Sequence, residues 1–369
     1  MAVTPTAAEV LNRRRLRDLG YSVGRFPTGP GNALVDVPGV RVGHVTLVED
    51  LPDGRAVRTG VTAVLPHGGN VYAEKVLGAC HVINGHGKAT GLTQLAELGT
   101  LESPILITTT LSVGAVWEGG LRHVLERNPD AGRDHGTVNV VVAECFDGYL
   151  SDARGLHVRP EHALAAIEAA SEREAGEGAV GAGTGTTCFE FKAGVGTASR
   201  VTVQQPACTL GGLVVTNYGL RANLHLLVGA AVDGGEPTGD SARGGSVIVV
   251  LATDAPLSER QLRRLAVRAG IGLARAGSFA SNPSGDYVFA FSTAHRIAGR
   301  ADRPYEEFRF LRDDSLALRE LFEAAGEVTV EAVLNSLCMA DAMDGRDGHR
   351  ADAFPYELLD SVRWAERLV

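Results

Sequence analysis

The stretch GGSVIVVLAT, residues 244–253, joins two glycines and a serine to an uninterrupted apolar run. A short run of β-branched residues of this kind predicts a strand that is buried on both faces. Such a strand needs a covering layer on each side, so the stretch favours an α/β protein built of layered sheets and helices. The serine stands at the amino-terminal end of the strand, at the edge of the sheet, where a substrate can reach it.

The sequence on both sides of this strand also carries strand and helix patterns. Buried strands are predicted over 61–65, 105–110, 138–143, 195–204, 210–216 and 286–293, and a strand pair over 34–46. Helices are predicted over 7–19, 116–127, 160–172, 258–276, 315–325, 330–340 and 356–368. No composition shift marks a linker, so residues 1–369 are predicted to form one domain.

Composition and charge exclude several classes of protein. The 369 residues carry a net charge of −9 and only 5% aromatic residues, so a basic nucleic-acid-binding surface is not expected. No apolar run approaches the ~18 residues of a membrane span, and no secretory signal is recognised. Five dispersed cysteines without a CxxC pair indicate a reducing compartment. We therefore expect a cytoplasmic globular protein that binds neither nucleic acid nor membrane.

Ser246 is the first candidate catalytic residue, because it directly follows Gly244 and Gly245. If the chain were cut before Ser246, its free α-amine would lie within reach of the hydroxyl and could act as its base. Glycines before the serine suit such a cut, since self-cleavage needs a strained and accessible peptide bond. A loop that ends in a polar residue at the start of a strand explains the same pattern.

Three further segments place polar side chains next to apolar strands. Asn217, after the run VVT, could stabilise an oxyanion or form an Asx turn. Ser284 and Asp286 could move a proton for a nucleophile or belong to a solvated turn. Glu144 and Tyr149 follow VNVVVA and could supply an amine-binding carboxylate and a hydroxyl, with a capped turn as the alternative.

Metal and nucleotide sites are not indicated. The eleven histidines show no HExxH motif, and the pair His81 and His86 lacks a third ligand. The glycine-rich stretch GAGTGT, residues 181–186, is out of register with GxGxxG and has no phosphate-loop lysine. It is therefore predicted to be a backbone turn.

Eight ordered blocks of the chain together resemble one family. They are PTGPGNALVDVPGVRVGHVT (27–46), VINGHGKATGL (82–92), SPILITTTLSVG (103–114), AECFDGYLSD (143–152), GAGTGTTCFEFKAGVGTASR (181–200), VVTNYG (214–219), GGSVIVVLATDAPLS (244–258) and NPSGDYVFAFSTAHR (282–296). These blocks are similar to the self-processing aminopeptidases of the DmpA and β-aminopeptidase type, the S58 peptidases. The resemblance covers nearly the whole chain.

The resemblance implies an αββα four-layer sandwich, similar to that of the ornithine acetyltransferases, made as one precursor that cuts itself. The matching bond is Gly245–Ser246, which would divide the chain into an α chain of residues 1–245 and a β chain of residues 246–369. Ser246 would then be the nucleophile. The resemblance also implies a homo-oligomer of αβ units, with a tetramer as the expected form.

Further site roles follow from the same resemblance. Asn217 would stabilise the oxyanion, and Ser284 and Asp286 would assist the nucleophile. Tyr149 matches an active-site tyrosine, and Glu144 matches the carboxylate that holds the free amine of the substrate. The implied activity is hydrolysis of an N-terminal L-, D- or β-aminoacyl amide, ester or short peptide through an acyl-enzyme, without a metal or organic cofactor.

The chain departs from the family pattern at three places. Lys88 stands where relatives often carry an acid, Thr109 where they often carry asparagine, and Cys145-Phe146 where small polar residues are common. These residues are expected to border the substrate pocket. A lysine there could change how the amine is recognised, or it could favour a substrate with a carboxylate.

Two other functions fit the same sequence. An amidase or acyltransferase on this scaffold would act on non-peptide amides that lack a free amine. An uncleaved, non-catalytic binding protein would keep an intact chain. The joint presence of Ser246, Asn217, Ser284 and Asp286 favours the enzyme, since each residue has a role in one acyl-transfer site.

Overall fold

The computed structural model of the protein describes residues 13–134, 136–228, 245–301, 304–362 and 365–367. In chain order its strands are β1 (Tyr21–Val23), β2 (Arg41–Asp50), β3 (Ala56–Leu65), β4 (Glu74–Gly85), β5 (Ala89–Thr90), β6 (Thr100–Leu101), β7 (Ile105–Thr108), β8 (Val141–Glu144), β9 (Thr187–Cys188), β10 (Phe191–Lys192), β11 (Val195–Val201), β12 (Thr209–Asn217), β13 (Ser246–Thr253), β14 (Gly285–Ala298), β15 (Met343–Asp344), β16 (Arg350–Ala351) and β17 (Ala365–Arg367). The helices are α1 (Leu92–Leu98), α2 (Val113–Arg127), α3 (Pro160–Glu168), α4 (His225–Val228), α5 (Glu259–Arg275) and α6 (Leu316–Cys338).

Two large sheets form the centre of the molecule. The six-stranded sheet has the order β11-β12-β13-β14-β4-β6, and the five-stranded sheet has the order β2-β3-β7-β8-β5. Within them β13 runs parallel to β14, and β7 runs parallel to β8. The strand predicted from the run at 246–253 is β13, which lies between β12 and β14 and is buried along its whole length.

Three apolar cores separate four layers. Between the two sheets, Ile107 of β7 and Ile248 of β13 belong to one packed cluster. On the outer face of the five-stranded sheet, Leu106 packs with residues of α2 and α3. On the outer face of the six-stranded sheet, Val249 packs with residues of α5 and α6. Alternate residues of a strand thus face different layers, and the predicted αββα sandwich is confirmed.

Helix α5 begins at a capping motif and packs closely against α6. The Ser258 hydroxyl accepts the Gln261 N–H, and the Gln261 side chain accepts the Ser258 N–H, so two backbone donors at the helix start are satisfied. A Cβ on Gly272 would lie 2.6 Å from Thr329 Cβ and 2.9 Å from the Gly326 carbonyl oxygen. Glycine at 272 therefore allows α5 and α6 to pack closely over the six-stranded sheet.

Several local predictions are wrong. The two helices predicted over 315–325 and 330–340 are one continuous helix, α6, because Gly326 lies within the contact with α5 and does not end the helix. The helix predicted over 356–368 is replaced by a 3-10 helix, Tyr356–Ser361, followed by β17, which pairs with β1. The strand pair predicted over 34–46 begins instead with a 3-10 turn, Leu34–Asp36.

Some predictions fall partly outside the described residues. Of the helix predicted over 7–19, residues 7–12 lie outside them, and Arg17–Leu19 form a 3-10 turn. Gly244 also lies outside them, whereas Gly245 and Ser246 are described. Within the described ranges, no helix is long and apolar enough to cross a membrane. Within the same ranges, no three histidine, cysteine, aspartate or glutamate side chains are grouped so that they could hold a metal ion.

Candidate active site

The start of β13 is the point at which most of the predicted site residues meet. Ser246 is the first residue of the strand, and because it is fully buried the accessible position expected from the sequence is wrong. Asn217, the last residue of β12, is its antiparallel partner, and Gly285, the first residue of β14, is its parallel partner. Because register partners lie side by side, three separate blocks of sequence meet at one end of the six-stranded sheet.

The Ser246 hydroxyl faces the space between the two sheets, as Ile248 does two residues later. Its Oγ accepts a hydrogen bond of 2.9 Å from the Phe146 N–H and lies 3.5 Å from Cys145 Sγ. Both residues directly follow β8, so the five-stranded sheet supplies the contacts of a hydroxyl that belongs to the other sheet. Complete burial raises the pKa of the Cys145 thiol well above its ordinary value, which keeps the thiol neutral.

Ser284 and Asp286 form a second polar group at the same end of the sheet. Ser284 Oγ donates to Asp286 Oδ1 at 2.6 Å. A Cβ on Gly245 would come within 3.2 Å of Ser284 Oγ, so the pair lies beside the Gly245–Ser246 peptide bond. Tyr287, the next residue of β14, packs between the two sheets. Because successive side chains of a strand point to opposite faces, the Asp286 side chain faces the helix layer. The Ser246 hydroxyl faces the opposite side, between the two sheets.

Asp286 is buried and incompletely paired. Only 1% of the residue is exposed, and its Oδ2 has no hydrogen-bond partner among the described residues. Burial raises the pKa of its carboxyl to about 6, although the hydrogen bond from Ser284 opposes this rise. A carboxyl with this pKa gains and loses a proton near neutral pH, as a proton-transfer group must.

Glu144, the last residue of β8, places a buried carboxylate next to Gly285. Its Oε2 accepts a hydrogen bond from Thr110 Oγ1, and its Oε1 accepts one of 3.4 Å from the Lys88 N–H. A Cβ on Gly285 would lie 3.2 Å from Glu144 Oε1. Burial raises the pKa of Glu144, while the Thr110 hydrogen bond and the Lys88 charge oppose the rise. The carboxylate therefore lies beside the register partner of Ser246, where it can hold a substrate amine.

Tyr149 contacts the hairpin formed by β15 and β16. Its hydroxyl donates to the Arg350 carbonyl at 3.3 Å, and its ring stacks on His349 with centroids 4.7 Å apart. Both partners lie in or beside the hairpin of β15 and β16. These contacts hold the Tyr149 side chain against that hairpin.

Asp147 and Lys192 are two buried charged residues near the site that the sequence patterns do not single out. Asp147 Oδ1 accepts a hydrogen bond of 2.6 Å from Thr109 Oγ1, and burial raises the pKa of Asp147 to about 6. Lys192 Nζ donates to three backbone carbonyls between residues 183 and 193, and burial lowers its pKa to about 7. Lys192 thus holds the glycine-rich stretch 181–186, which is a backbone turn as predicted. A lysine in an otherwise apolar strand segment is the sequence feature that could have identified Lys192.

Comparison with known sequences identifies the family. Residues 32–351 match the family described as Peptidase family S58. The chain is 39% identical to the beta-peptidyl aminopeptidase BapA of Sphingosinicella microcystinivorans, over 94% of this chain and 91% of that protein. A match of this length at this identity leaves no large segment of either protein unaccounted for.

Solved structures share the fold as well. The PH0078 protein from Pyrococcus horikoshii OT3 is 47% identical and superposes with a TM-score of 0.86, over 94% of this chain and 98% of that one. The L-aminopeptidase D-Ala-esterase/amidase from Ochrobactrum anthropi is 36% identical with a TM-score of 0.85, over 94% and 96% of the two chains. That enzyme is described as a prototype for the serine aminopeptidases and as a variant of the Ntn hydrolase fold. The resemblance predicted from the sequence is therefore confirmed, and this chain is a hydrolase that belongs to peptidase family S58.

Proposed function

We propose that this protein is an aminopeptidase that removes the N-terminal residue of a short peptide, or the aminoacyl group of an amide or ester, with Ser246 as the nucleophile. The supporting observation is the position of Ser246 at the start of β13, with its hydroxyl against the Phe146 N–H and with Asn217 and Gly285 as its register partners. Two relatives are named a beta-peptidyl aminopeptidase and an L-aminopeptidase D-Ala-esterase/amidase, which supports the same activity.

The first step of the proposal frees the α-amine of Ser246. Ser246 Oγ attacks the carbonyl carbon of Gly245, the C–N bond breaks, and the hydroxyl proton passes to the departing amine. Water then hydrolyses the resulting ester, which leaves a carboxylate on Gly245 and restores the hydroxyl. The Gly245 carbonyl oxygen accepts a hydrogen bond of 3.1 Å from the Gly285 N–H, and this donor favours the negative charge that develops on the oxygen.

In the processed enzyme, the α-amine of Ser246 takes the proton of its own hydroxyl while Oγ attacks the substrate carbonyl carbon. The Ser284–Asp286 pair lies beside the former peptide bond, so it can hold this amine and stabilise its positive charge. Asn217 Oδ1 accepts the Thr187 N–H at 3.2 Å, which leaves the amide NH₂ group as the donor to the oxyanion. The amine product leaves with the proton, and water hydrolyses the acyl-enzyme.

Glu144 provides the selectivity for a free N-terminus in this proposal. Its carboxylate lies beside Gly285, and it binds the ammonium group of the substrate's first residue. An internal peptide bond has no ammonium group at this position, so the buried Glu144 carboxylate would gain no cationic partner from it. The site therefore fits an exopeptidase better than an amidase for substrates that lack a free amine.

Intact mass spectrometry of the purified protein tests the nucleophile. The wild type is expected to give fragments of about 26 kDa and about 13 kDa, scaled by length from 38.7 kDa, the second beginning at Ser246. Ser246→Ala is expected to stay whole and to hydrolyse no aminoacyl anilide. The control Ser258→Ala, the same change beyond the other end of β13, is expected to be cut. A wild-type chain that stays at full mass would contradict the proposal and would favour a non-catalytic binding protein.

A further inference from the structure

Residues 86–88, which we call the rim segment, lie over the Glu144 carboxylate. The Lys88 N–H donates to Glu144 Oε1 at 3.4 Å, and the His86 N–H donates to the Ser284 carbonyl at 3.3 Å. The Lys88 side chain is exposed, and its positive charge is close enough to Glu144 to lower the pKa of that carboxyl. The rim segment therefore contacts both the amine-binding carboxylate and the segment that bears Ser284.

Close backbone packing fixes the rim segment in this position. A Cβ on Gly87 would lie 2.8 Å from Glu144 Oε1, 2.8 Å from Gly285 Cα and 2.8 Å from Tyr287 Cε2. Since side chains do not approach each other so closely, glycine at 87 is what allows the rim backbone to lie against the carboxylate. The next residue, Lys88, is thereby held beside the same carboxylate.

Lys88 differs from the other two lysines of the chain, Lys75 and Lys192. Lys75 forms an ion pair of 2.6 Å with Glu102, and Lys192 is buried among backbone carbonyls. The Lys88 ammonium has a long contact of 3.4 Å to the His86 carbonyl. An ammonium group carries three donors, so Lys88 keeps donors for a ligand bound beside Glu144.

The charges of Glu144 and Lys88 determine which substrate fits between them. In the proposed reaction, the ammonium group of the substrate occupies Glu144. The cation of Lys88 then lies near a second cation, and this repulsion is unfavourable in a partly desolvated site. A carboxylate on the same substrate residue would bind Lys88 and remove the repulsion.

We infer that Lys88 selects substrates whose N-terminal residue carries a carboxylate, with the ammonium group of that residue on Glu144 and the carboxylate on Lys88. Aspartyl, glutamyl and β-linked aspartyl residues have both groups. The inference rests on the proposed aminopeptidase function and narrows its substrate class. Lys88 acts as a specificity residue and takes no part in bond cleavage.

Paired substrates that differ in charge but hardly in shape test this inference. Aspartyl and asparaginyl p-nitroanilides form such a pair, and the ratio of their kcat/KM values measures the effect of the carboxylate. The wild type is expected to favour the aspartyl substrate by about tenfold or more, the size of one charge-assisted hydrogen bond. Lys88→Met is expected to remove this preference, and Lys88→Glu is expected to reverse it. A β-linked aspartyl anilide shows which linkage the pocket prefers.

The control Arg312→Met removes one positive charge at a distant, exposed site. Its guanidinium pairs with Asp314, and the neighbouring Leu311 N–H bonds the Pro256 carbonyl beyond the far end of β13. This variant is expected to keep the wild-type ratio, so a change in overall charge is distinguished from a change at the pocket. A wild-type ratio near one, or a ratio that Lys88→Met leaves unchanged, would overturn the inference.

Failure of the proposed function would look different, because neither anilide would then be hydrolysed. In that case, calorimetric titration with aspartyl amide and asparaginyl amide tests the inference by binding alone. Tighter binding of the aspartyl amide in the wild type but not in Lys88→Met would support it. Equal binding of the two amides, or binding of neither, would contradict it.

Discussion

Arg200 and Asp286 are both buried charged residues of the six-stranded sheet, but their polar atoms are paired to different extents. Arg200, in β11, donates to Glu327 at 2.9 Å and to Glu331 at 2.5 Å. Asp286, in β14, accepts from Ser284 and has no partner for its Oδ2 among the described residues. The first group joins α6 to the sheet, and the second lies beside the Gly245–Ser246 bond.

Glu331 shows the effect of full pairing on a buried carboxylate. It accepts hydrogen bonds from Arg17, Arg200 and Asn32. Burial alone would raise the pKa of Glu331, but the two guanidinium groups outweigh burial and hold the pKa below its ordinary value. For Asp286, burial dominates, and the pKa rises to about 6.

Buried charge therefore has two different uses in the six-stranded sheet. The fully paired group around Arg200 holds α6 against the sheet, and removing one of its partners leaves a buried charge uncompensated. A carboxylate with an unpaired oxygen lowers stability, and such groups are concentrated where chemistry needs a shifted pKa. Substitutions in the two groups are therefore expected to act on different properties.

The largest effect on stability is expected for Glu331→Gln. This change should lower the free energy of unfolding by about 3–5 kcal/mol, because Arg17 and Arg200 keep their charges and lose their shared partner. Urea unfolding of the uncut Ser246→Ala chain, with and without the change, measures it. Arg312→Met breaks an exposed pair and should cost less than about 1 kcal/mol. A loss of less than about 1 kcal/mol for Glu331→Gln would contradict the predicted difference between the Arg200 group and the Asp286 group.

Asp286→Asn is expected to lower kcat/KM by about a hundredfold and to slow self-cleavage, because the amide cannot take up a proton or balance the charge of the Ser246 amine. Stability should stay the same or rise, since an incompletely paired buried charge is removed. Anilide hydrolysis and urea unfolding measure the two properties. If Asp286→Asn is much less stable but nearly as active as the wild type, the part given to Asp286 in the reaction is wrong.

The pH dependence of stability is expected to differ in sign between the two groups. The folded pKa of Asp286, about 6, exceeds the ordinary 3.8, so stability falls as pH rises from about 4 to about 6. The folded pKa of Glu331 lies below the ordinary 4.5, so its contribution is present above that pH and is lost on acidification through the folded pKa. Unfolding curves between about pH 3 and about pH 7 for the wild type and each variant give the two difference slopes. Slopes of equal sign would refute this prediction.

The smallest effect is expected for Asp147→Asn. Its Oδ1 accepts from Thr109 Oγ1, and an asparagine oxygen can accept the same bond. We expect kcat/KM to fall less than about tenfold and the free energy of unfolding to change by less than about 1 kcal/mol. Anilide hydrolysis and urea unfolding, measured for Asp147→Asn and Asp286→Asn in parallel, check both values. A hundredfold loss would instead give Asp147 a part in the reaction.

Elements with strong local signals lie where the sequence predicts them. The apolar run at 246–253 is β13, and the capped pattern at 258–276 is α5. The strand β4 is not predicted, because it mixes exposed and buried positions without clean alternation and is a strand through its pairing with β14. Likewise β17 exists through its pairing with β1, although its sequence favours a helix.

For the site, the sequence was enough to identify the chemical groups: a serine after two glycines, an asparagine at a strand end, the carboxylates of Glu144 and Asp286, and the family to which they belong. How these groups meet depends on the tertiary structure. The Phe146 N–H reaches Ser246 Oγ from a segment 100 residues away in the chain, and Asp286 lies on the other face of the sheet. Tyr149 is bound to the β15–β16 hairpin, and Lys88 lies beside Glu144. Motifs record residue types along the chain, whereas the contacts and pairing of buried groups depend on how distant layers pack.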